Sequence, residues 1–168
     1  MDLDLNSLTF RQTMGRFATG VTVVISQAGA ERHAMTANSV TSVSLDPLLV
    51  LFCPNKQSQI AQALDRTTGF SLNILRADQD ALSMYFAEMW KAPEPPAFAF
   101  EPWVGAPRLA GCLAALGCEL HRVYDGGDHW IVVGRVLALY QGAEPHLPLV
   151  FFGGRYRRLE ALEAQPAG

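Results

Sequence analysis

Lys56 and Ser58 are the residues whose types and spacing most directly indicate a binding chemistry. They follow Pro54, which ends the apolar run Leu48–Phe52, and they precede a predicted short helix. A lysine ammonium supplies a positive charge, and a serine hydroxyl at a helix N-terminus lies beside free backbone N–H groups. Either residue alone is typical of a solvated lysine or an ordinary helix cap. Together, directly after a buried strand, they predict contact with a phosphate, and Ser58 can cap the helix while it binds.

A hydroxyl-rich segment over residues 36–42 precedes this pair. Its members are Thr36, Ala37, Asn38, Ser39, Val40, Thr41 and Ser42. In an extended conformation the side chains alternate between two faces, which places Asn38, Val40 and Ser42 on the same one. Two interpretations are open from the residues alone. The segment is a platform of hydrogen-bond donors for a flat heterocycle, or it is a polar sheet rim whose hydroxyls bond to their own backbone.

A third candidate, Asp128 followed by His129, lies at the mouth of a predicted hairpin around Asp-Gly-Gly-Asp at residues 125–128. Asp128 can orient the imidazole of His129 or raise its pKa, which would let the histidine exchange a proton near neutral pH. The residues alone favour the simpler interpretation, a turn aspartate beside a surface histidine.

Several familiar chemistries lack support in this sequence. It has no G-x-S-x-G elbow, no H-E-x-x-H and no G-x-G-x-x-G loop. The four histidines have no metal-like spacing, and the three cysteines include no C-x-x-C, so we expect no metal site and a reduced compartment.

The composition sets limits on the partners and the location. The formal net charge is −3 and the pI is about 5.8, which argues against nucleic acid and anionic membranes as partners. The first residues do not resemble a signal peptide, and no apolar run is long enough to cross a bilayer. We therefore expect a cytoplasmic protein. Its 168 residues predict a single domain over 1–168, with frayed ends at 1–8 and 161–168.

Short β-branched runs and tight turns dominate the rest of the chain. Strands are predicted at 20–26, 32–36, 48–52, 69–75, 113–124, 129–140, 149–152 and 155–159, and an irregular proline-rich excursion at 91–107. Helices are predicted at 9–17, after Ser58 and after Asp78. The first has a capping box of Thr9 and Gln12, and its apolar face of Phe10, Met14 and Phe17 is expected to pack on the core. This pattern predicts a mainly β fold, a closed antiparallel barrel with a few peripheral short helices.

Sequence motifs along most of the chain resemble the short-chain flavin reductase family. The matching stretches are GRFATGVTVV at 15–24, MTANSVTSVSLDP at 35–47, KQS at 56–58, NIL at 73–75, FA at 86–87, GDH at 127–129, GRV at 134–136 and GRY at 154–156. The first two stretches, taken together, are specific to the family, whereas KQS by itself is only weak support for the resemblance. Leu48 and Trp130 are two small departures from the family pattern, and Trp130 bears on how a nicotinamide or adenine ring stacks.

The resemblance implies an FMN-binding split β-barrel of Greek-key type and a homodimer. It implies binding of FMN or FAD, hydride transfer from NADH or NADPH, and delivery of reduced flavin to a partner monooxygenase. Carried onto this sequence, the phosphate contacts fall on Lys56 and Ser58, and the nicotinamide side lies near His129, with Asp128 beside it and Tyr156 as a further candidate. The remaining cofactor-binding candidates are Thr36, Ala37, Asn38, Ser39, Val40, Ser42 and Phe86.

Two rival hypotheses use the same flavin-binding barrel. In one the electrons go to another acceptor, a metal complex or a corrinoid. In the other the protein binds flavin without catalysis.

Overall fold

The computed structural model describes residues 4–143 and 146–159. This described part of the chain contains three short helices, α1 (Ser7–Met14), α2 (Gln59–Gln62) and α3 (Asp80–Phe86). The strands are β1 (Thr19–Gly20), β2 (Thr22–Ala28), β3 (Glu31–Ala37), β4 (Val40–Leu45), β5 (Leu48–Phe52), β6 (Gly69–Ile74), β7 (Phe100–Glu101), β8 (Arg108–Leu109), β9 (Ala114–Gly126), β10 (His129–Gln141), β11 (Val150–Phe152) and β12 (Arg155–Arg157). The mainly β prediction is therefore confirmed, as are the predicted strands, with boundary shifts of one to a few residues.

A seven-stranded antiparallel sheet in the order β3-β2-β6-β9-β10-β5-β4 forms the body. Its two edge strands are consecutive in the chain, because β3 ends at Ala37 and β4 begins at Val40. Asn38 and Ser39 thus carry the chain from one edge to the other, which requires the sheet to curl until its edges meet there. Within the described residues no ladder pairs β3 with β4, so the predicted closure by hydrogen bonds is not confirmed. Instead, β3 pairs with β2 and β4 pairs with β5, each along one side.

Side-chain alternation along β2 covers the sheet on both faces. Val23 and Ile25 belong to one buried cluster, with Leu75, and Val24 belongs to another, with Phe52. Aromatic side chains from the proline-rich excursion pack against the first cluster and hold the excursion to the body; they are Phe98, Phe100 and Trp103.

The excursion returns to the sheet through a close backbone contact. Gly105 has φ of +79°, and a Cβ atom there would lie 2.4 Å from the carbonyl oxygen of Cys118 on β9. Glycine is needed because a side chain has neither the conformation nor the space.

The first helix begins earlier than predicted. Asn6 caps it, since its Oδ1 accepts hydrogen bonds from the N–H groups of Leu8 (2.9 Å) and Thr9 (3.0 Å), and Thr9 completes the capping box. The predicted capping box of Thr9 and Gln12 is therefore wrong by three positions, while the frayed end at 1–8 stays a prediction. The predicted frayed end at 161–168 lies outside the described residues.

The expectation that the apolar face of α1 packs on the core is also wrong. Phe10, Met14 and Phe17 are 62%, 51% and 69% exposed. None of the residues of α1 is buried, and the N–H of Gly153 donates to the carbonyl of Gly15, directly after the helix, at 2.8 Å.

Two further local predictions need correction. Asp78 does not cap α3, because its carboxylate pairs with both Nε and Nη2 of Arg76 at 2.9 Å, and the cap position belongs to Gln79. The strand β5 is not buried on both faces, since Leu48 is 45% exposed at its start.

Candidate functional site

A groove of about 520 Å³ lies where β3, the start of α2 and the end of α3 meet. It contains three of the residues selected from the sequence, Thr36, Ser58 and Phe86. The other lining residues are Ala34, Met35, Asn55, Gln57, Gln59, Ile60, Ala87 and Glu88. Apart from the Glu88 carboxylate, the lining combines uncharged donors and acceptors with apolar side chains, which suits a ligand that has both a flat apolar ring and polar groups.

Ser58 occupies the predicted cap position of α2. Its Oγ accepts the N–H of Ala61 at 3.2 Å, and its own N–H donates to the carbonyl of Asn55 at 3.0 Å. The serine hydroxyl retains its proton for a ligand, so capping and ligand binding are compatible in this geometry.

The segment before α2 is joined to the β9–β10 hairpin. The N–H of Lys56 donates to the carbonyl of Asp128 at 3.0 Å, and the N–H of Trp130 donates to the carbonyl of Pro54 at 2.9 Å. Asn55, which lines the groove, forms a β-bridge with His129. These backbone contacts place the predicted histidine next to the groove.

The Lys56 ammonium points to the hairpin. Its Nζ lies 2.5 Å from Oδ2 of Asp125 and 4.4 Å from the ring centroid of Trp130. The hydrogen bond from Lys56 is the main cause that lowers the pKa of Asp125 below its ordinary value. Lys56 is therefore adjacent to the groove through its backbone, while its charge is shared with a carboxylate that the sequence analysis did not select.

Asp128 contacts the imidazole, as one of the two sequence interpretations required. Its Oδ1 lies 2.7 Å from Nδ1 of His129, and this hydrogen bond is the main cause that lowers the pKa of the Asp128 carboxyl. The imidazole is 42% exposed. An ionised carboxylate at Nδ1 orients the ring and leaves Nε2 free to face a ligand.

Ser83 on α3 connects two of the predicted site residues. Thr36 Oγ1 donates to the Ser83 carbonyl at 2.7 Å, and the Tyr156 hydroxyl donates to Ser83 Oγ at 2.8 Å. Ser83 is fully buried. The structure thus uses both hydroxyls to hold α3 against β3 and β12, a role that the sequence analysis did not assign to them.

The rest of the hydroxyl-rich segment does not share the groove. Ala37 is buried in the core, and Asn38, Ser39 and Val40 line a separate cavity of about 650 Å³. Ser39 Oγ bonds to the carbonyl (3.1 Å) and the N–H (3.2 Å) of Cys53, so it satisfies backbone groups as the rim interpretation requires. Ser42 is exposed, beside a β-bulge that interrupts the predicted alternation.

Asn55, Glu88 and Asp125 are among the residues at the groove and hairpin that were missed. Glu88 lines the groove with φ of +58°, a conformation that its sequence does not signal, and Asp125 was treated only as a turn residue. The Asp-Gly-Gly-Asp hairpin and the Lys-x-Ser motif lie far apart in the chain. Their contact depends on a sheet register that no local pattern contains.

Among residues 4–143 and 146–159, no group of three or more His, Cys, Asp or Glu side chains could hold a metal ion. No helix in the described part of the chain has the length and apolar character needed to span a membrane.

A curled antiparallel sheet with a mixed polar and apolar groove, and a histidine oriented by a carboxylate next to it, defines a small, mainly β protein with one candidate ligand site. A family model described as the flavin reductase like domain matches residues 14–160. The chain belongs to this family.

Individual relatives agree with this assignment. An NADH-dependent FAD reductase of Streptomyces globisporus is 41% identical over 153 residues, which cover 88% of this chain and 83% of that protein. The reductase component of a 4-hydroxyphenylacetate 3-monooxygenase from Thermus thermophilus is 40% identical over 150 residues, covering 89% and 95%. A solved structure of the Streptomyces globisporus NADH:FAD oxidoreductase SgcE6, in complex with NAD and FAD fragments, superimposes with a TM-score of 0.84 at 38% identity, covering 95% and 96%.

Proposed function

We propose that the protein is an NAD(P)H:flavin oxidoreductase that reduces FMN or FAD and supplies reduced flavin to a partner monooxygenase. The observation that carries the proposal is the convergence of Thr36, Ser58 and Phe86 on one groove, with His129 joined to that groove through Asn55. Family membership supports a flavin as the ligand. The two named relatives, an NADH-dependent FAD reductase and a monooxygenase reductase component, support the reaction and the partner.

The groove fits a flavin in its donor chemistry. When bound, the nicotinamide supplies a hydride and the flavin accepts it, so the protein needs no nucleophile of its own. The side chains of Asn55 and Ser58 supply hydrogen-bond donors at fixed positions, and Phe86 supplies an apolar contact. Thr36 donates its proton to the Ser83 carbonyl, so toward a ligand its hydroxyl can only accept. Such preorganised groups hold two rings in a reactive orientation and stabilise the negative charge that reduction creates.

An assay of NADH consumption tests the proposal. The protein, NADH and FMN are mixed, and the absorbance at about 340 nm is followed; FAD and NADPH are then substituted in turn. We expect loss of NADH to be accelerated by the protein. If the protein binds flavin but does not accelerate NADH or NADPH loss with either flavin, it is a non-catalytic flavin-binding protein. If acceleration requires an added metal complex or corrinoid, that compound is the electron acceptor.

Replacing Lys56 with alanine is expected to raise the Kd for flavin about tenfold, through loss of a charge-assisted contact to the phosphate. The effect is limited because the ammonium is shared with Asp125. Fluorescence titration with FMN measures it, and Lys91→Ala, at an exposed lysine outside the groove, is the matched control. An unchanged Kd for Lys56→Ala would remove Lys56 from the site.

We further propose that the exposed face of α1 is the homodimer interface. Phe10, Met14 and Phe17 line the second cavity together with Leu51 and Phe151. Exposed apolar groups at one site are typical of a surface that another chain covers. A second copy of this chain is the occupant we propose, because an isologous contact lets the two α1 faces cover each other.

Replacing Met14 with aspartate is expected to shift the protein from twice 18.3 kDa to the monomer mass, because a charge would be buried without a partner. Light scattering coupled to size exclusion measures the change. Gln12→Asp, on the same helix and outside the cavity lining, is the matched control and should remain dimeric. A wild-type protein that elutes as a monomer at micromolar concentration would refute the interface.

Two finer predictions from the sequence are kept here as proposals. The curled sheet whose edges meet at Asn38 and Ser39 supports the closed split barrel of the sequence prediction. A cytoplasmic location also stays a prediction, which cell fractionation would check.

A further inference from the structure

The groove adjoins a third cavity, which is lined mainly by aromatic side chains. This cavity has a volume of about 460 Å³, and it shares Ala34, Phe86 and Glu88 with the groove. The shared residues place the two cavities side by side, and we call the pair the trough, with a groove half and an aromatic half. The groove half contains Ser58 and the uncharged polar side chains, and the aromatic half contains Tyr85, Phe98, Phe100 and Arg32.

The aromatic half presents partly exposed ring surface to the trough. Phe98 contacts Tyr85, Phe86 and Phe100 with centroid separations of 5.5, 5.1 and 5.3 Å. These rings are all half-buried, so they pack on the core on one side and reach the cavity on the other. The guanidinium of Arg32 lies 4.6 Å from the centroid of Phe100. Aromatic faces combined with a guanidinium plane form the kind of surface on which a purine base stacks.

Glu88 lies at the junction of the two halves, in an unfavourable backbone conformation. It directly follows α3 with φ of +58°, and its N–H donates to the carbonyl of Tyr85 while the N–H of Met89 donates to that of Met84 at 2.9 Å. Glycine is the usual residue at this helix end because a side chain is strained there. A strained residue that also lines a cavity suggests that its side chain serves a ligand. A carboxylate is a common acceptor for the hydroxyl groups of an adenosine ribose.

We propose that Glu88 and the aromatic half of the trough bind the adenosine half of FAD, so that the protein prefers FAD to FMN. This inference rests on the proposed function, in which the flavin phosphate lies near Ser58. FMN ends at that phosphate and leaves the aromatic half to water. FAD continues through a second phosphate and a ribose to adenine, so its order of chemical groups matches the order of groups along the trough.

Titration of flavin fluorescence with FAD and with FMN tests the preference. We expect wild-type protein to bind FAD at least about tenfold more tightly than FMN. Glu88→Gln should raise the Kd for FAD about tenfold and change the Kd for FMN at most about twofold. Glu94→Gln, at an exposed glutamate outside both halves, is the matched control and should change neither.

Glu88→Gly separates a ligand role from a structural one. Glycine relieves the positive φ, so the midpoint of thermal unfolding should rise by about 2–4 °C while FAD affinity falls. If FAD affinity falls while the variant is more stable, damage to the fold cannot be the cause, and the side chain itself must contact the ligand.

Two results would overturn the inference. Equal affinities for FAD and FMN, unaffected by Glu88→Gln, would show that the aromatic half binds no adenosine. An increase in the KM for NADH with unchanged flavin affinities would assign the adenosine subsite to the nicotinamide cofactor. In both cases NADH oxidation with FMN persists, whereas failure of the proposed function would abolish it.

Discussion

Replacing His129 with alanine is expected to lower kcat/KM for NADH about 100-fold, while the Kd for flavin changes less than about threefold. The imidazole begins β10, and the bridge to Asn55 sets it beside the groove. Its Nδ1 is held by Asp128 at 2.7 Å, so the ring is oriented before the ligand arrives. We expect it to position the nicotinamide, since hydride transfer loses rate steeply when the two rings are misplaced.

Steady-state kinetics with NADH varied at saturating flavin measure this effect, and flavin titration measures the binding term separately. His121→Ala, which removes an exposed histidine from β9, is the matched control and should behave as wild type. If His129→Ala weakened flavin binding more than it raised the KM for NADH, His129 would belong to the flavin side of the site.

The contact between Asp128 and His129 has a defined pH range. The pKa of Asp128 is lowered mainly by its hydrogen bond with His129, so the carboxylate stays ionised to a lower pH than an ordinary aspartate. A depressed carboxyl pKa means that the contact is present above the ordinary aspartate range and is lost as the pH falls through the lowered value. The orienting contact is therefore complete at neutral pH.

The strands were predictable because their signals are local. The run at 20–26 is β-branched and bounded by glycine, and it forms most of β2. The cap of α1 was missed because Asn6 and Thr9 are both good capping residues, and backbone geometry decides between them. Closure of the sheet could not be judged from the sequence, because it depends on how sharply the chain bends at Asn38 and Ser39.

The site was less predictable, since its contacts join distant parts of the chain. Ser58 as a helix cap follows from local chemistry, and the structure has it there. The pairing of Lys56 with Asp125 spans 69 positions and depends on the β9–β10 register. Phe86 and Tyr156 were selected through the resemblance to the family. The periodicity of the sequence does not assign a ligand role to either residue. Thr36 and Tyr156 meet through Ser83, which no motif marked.

The largest expected loss of stability is at Asn73, where leucine should lower the free energy of unfolding by about 2–4 kcal/mol. This side chain is fully buried in β6. Its Nδ2 donates to the carbonyl of Val23 at 3.0 Å, and its Oδ1 accepts the N–H of Leu109 at 2.8 Å. Leucine fills a similar volume but leaves the Leu109 N–H buried without an acceptor, a cost that packing does not offset.

Urea unfolding at one fixed protein concentration measures this difference, because dissociation of a dimer would otherwise contribute. Ser71→Ala is the graded control. It removes the hydroxyl that accepts from Asn73 Nδ2 at 3.0 Å and donates to the Pro107 carbonyl at 2.7 Å, but it leaves the amide bridge to Val23 and Leu109. We therefore expect a smaller loss, of about 1–2 kcal/mol. Leu109 lies on β8, immediately after the excursion that carries Phe98 and Phe100. If Asn73→Leu were as stable as wild type, the amide would not hold β8 to the sheet, and the aromatic half of the trough would depend on ring packing alone.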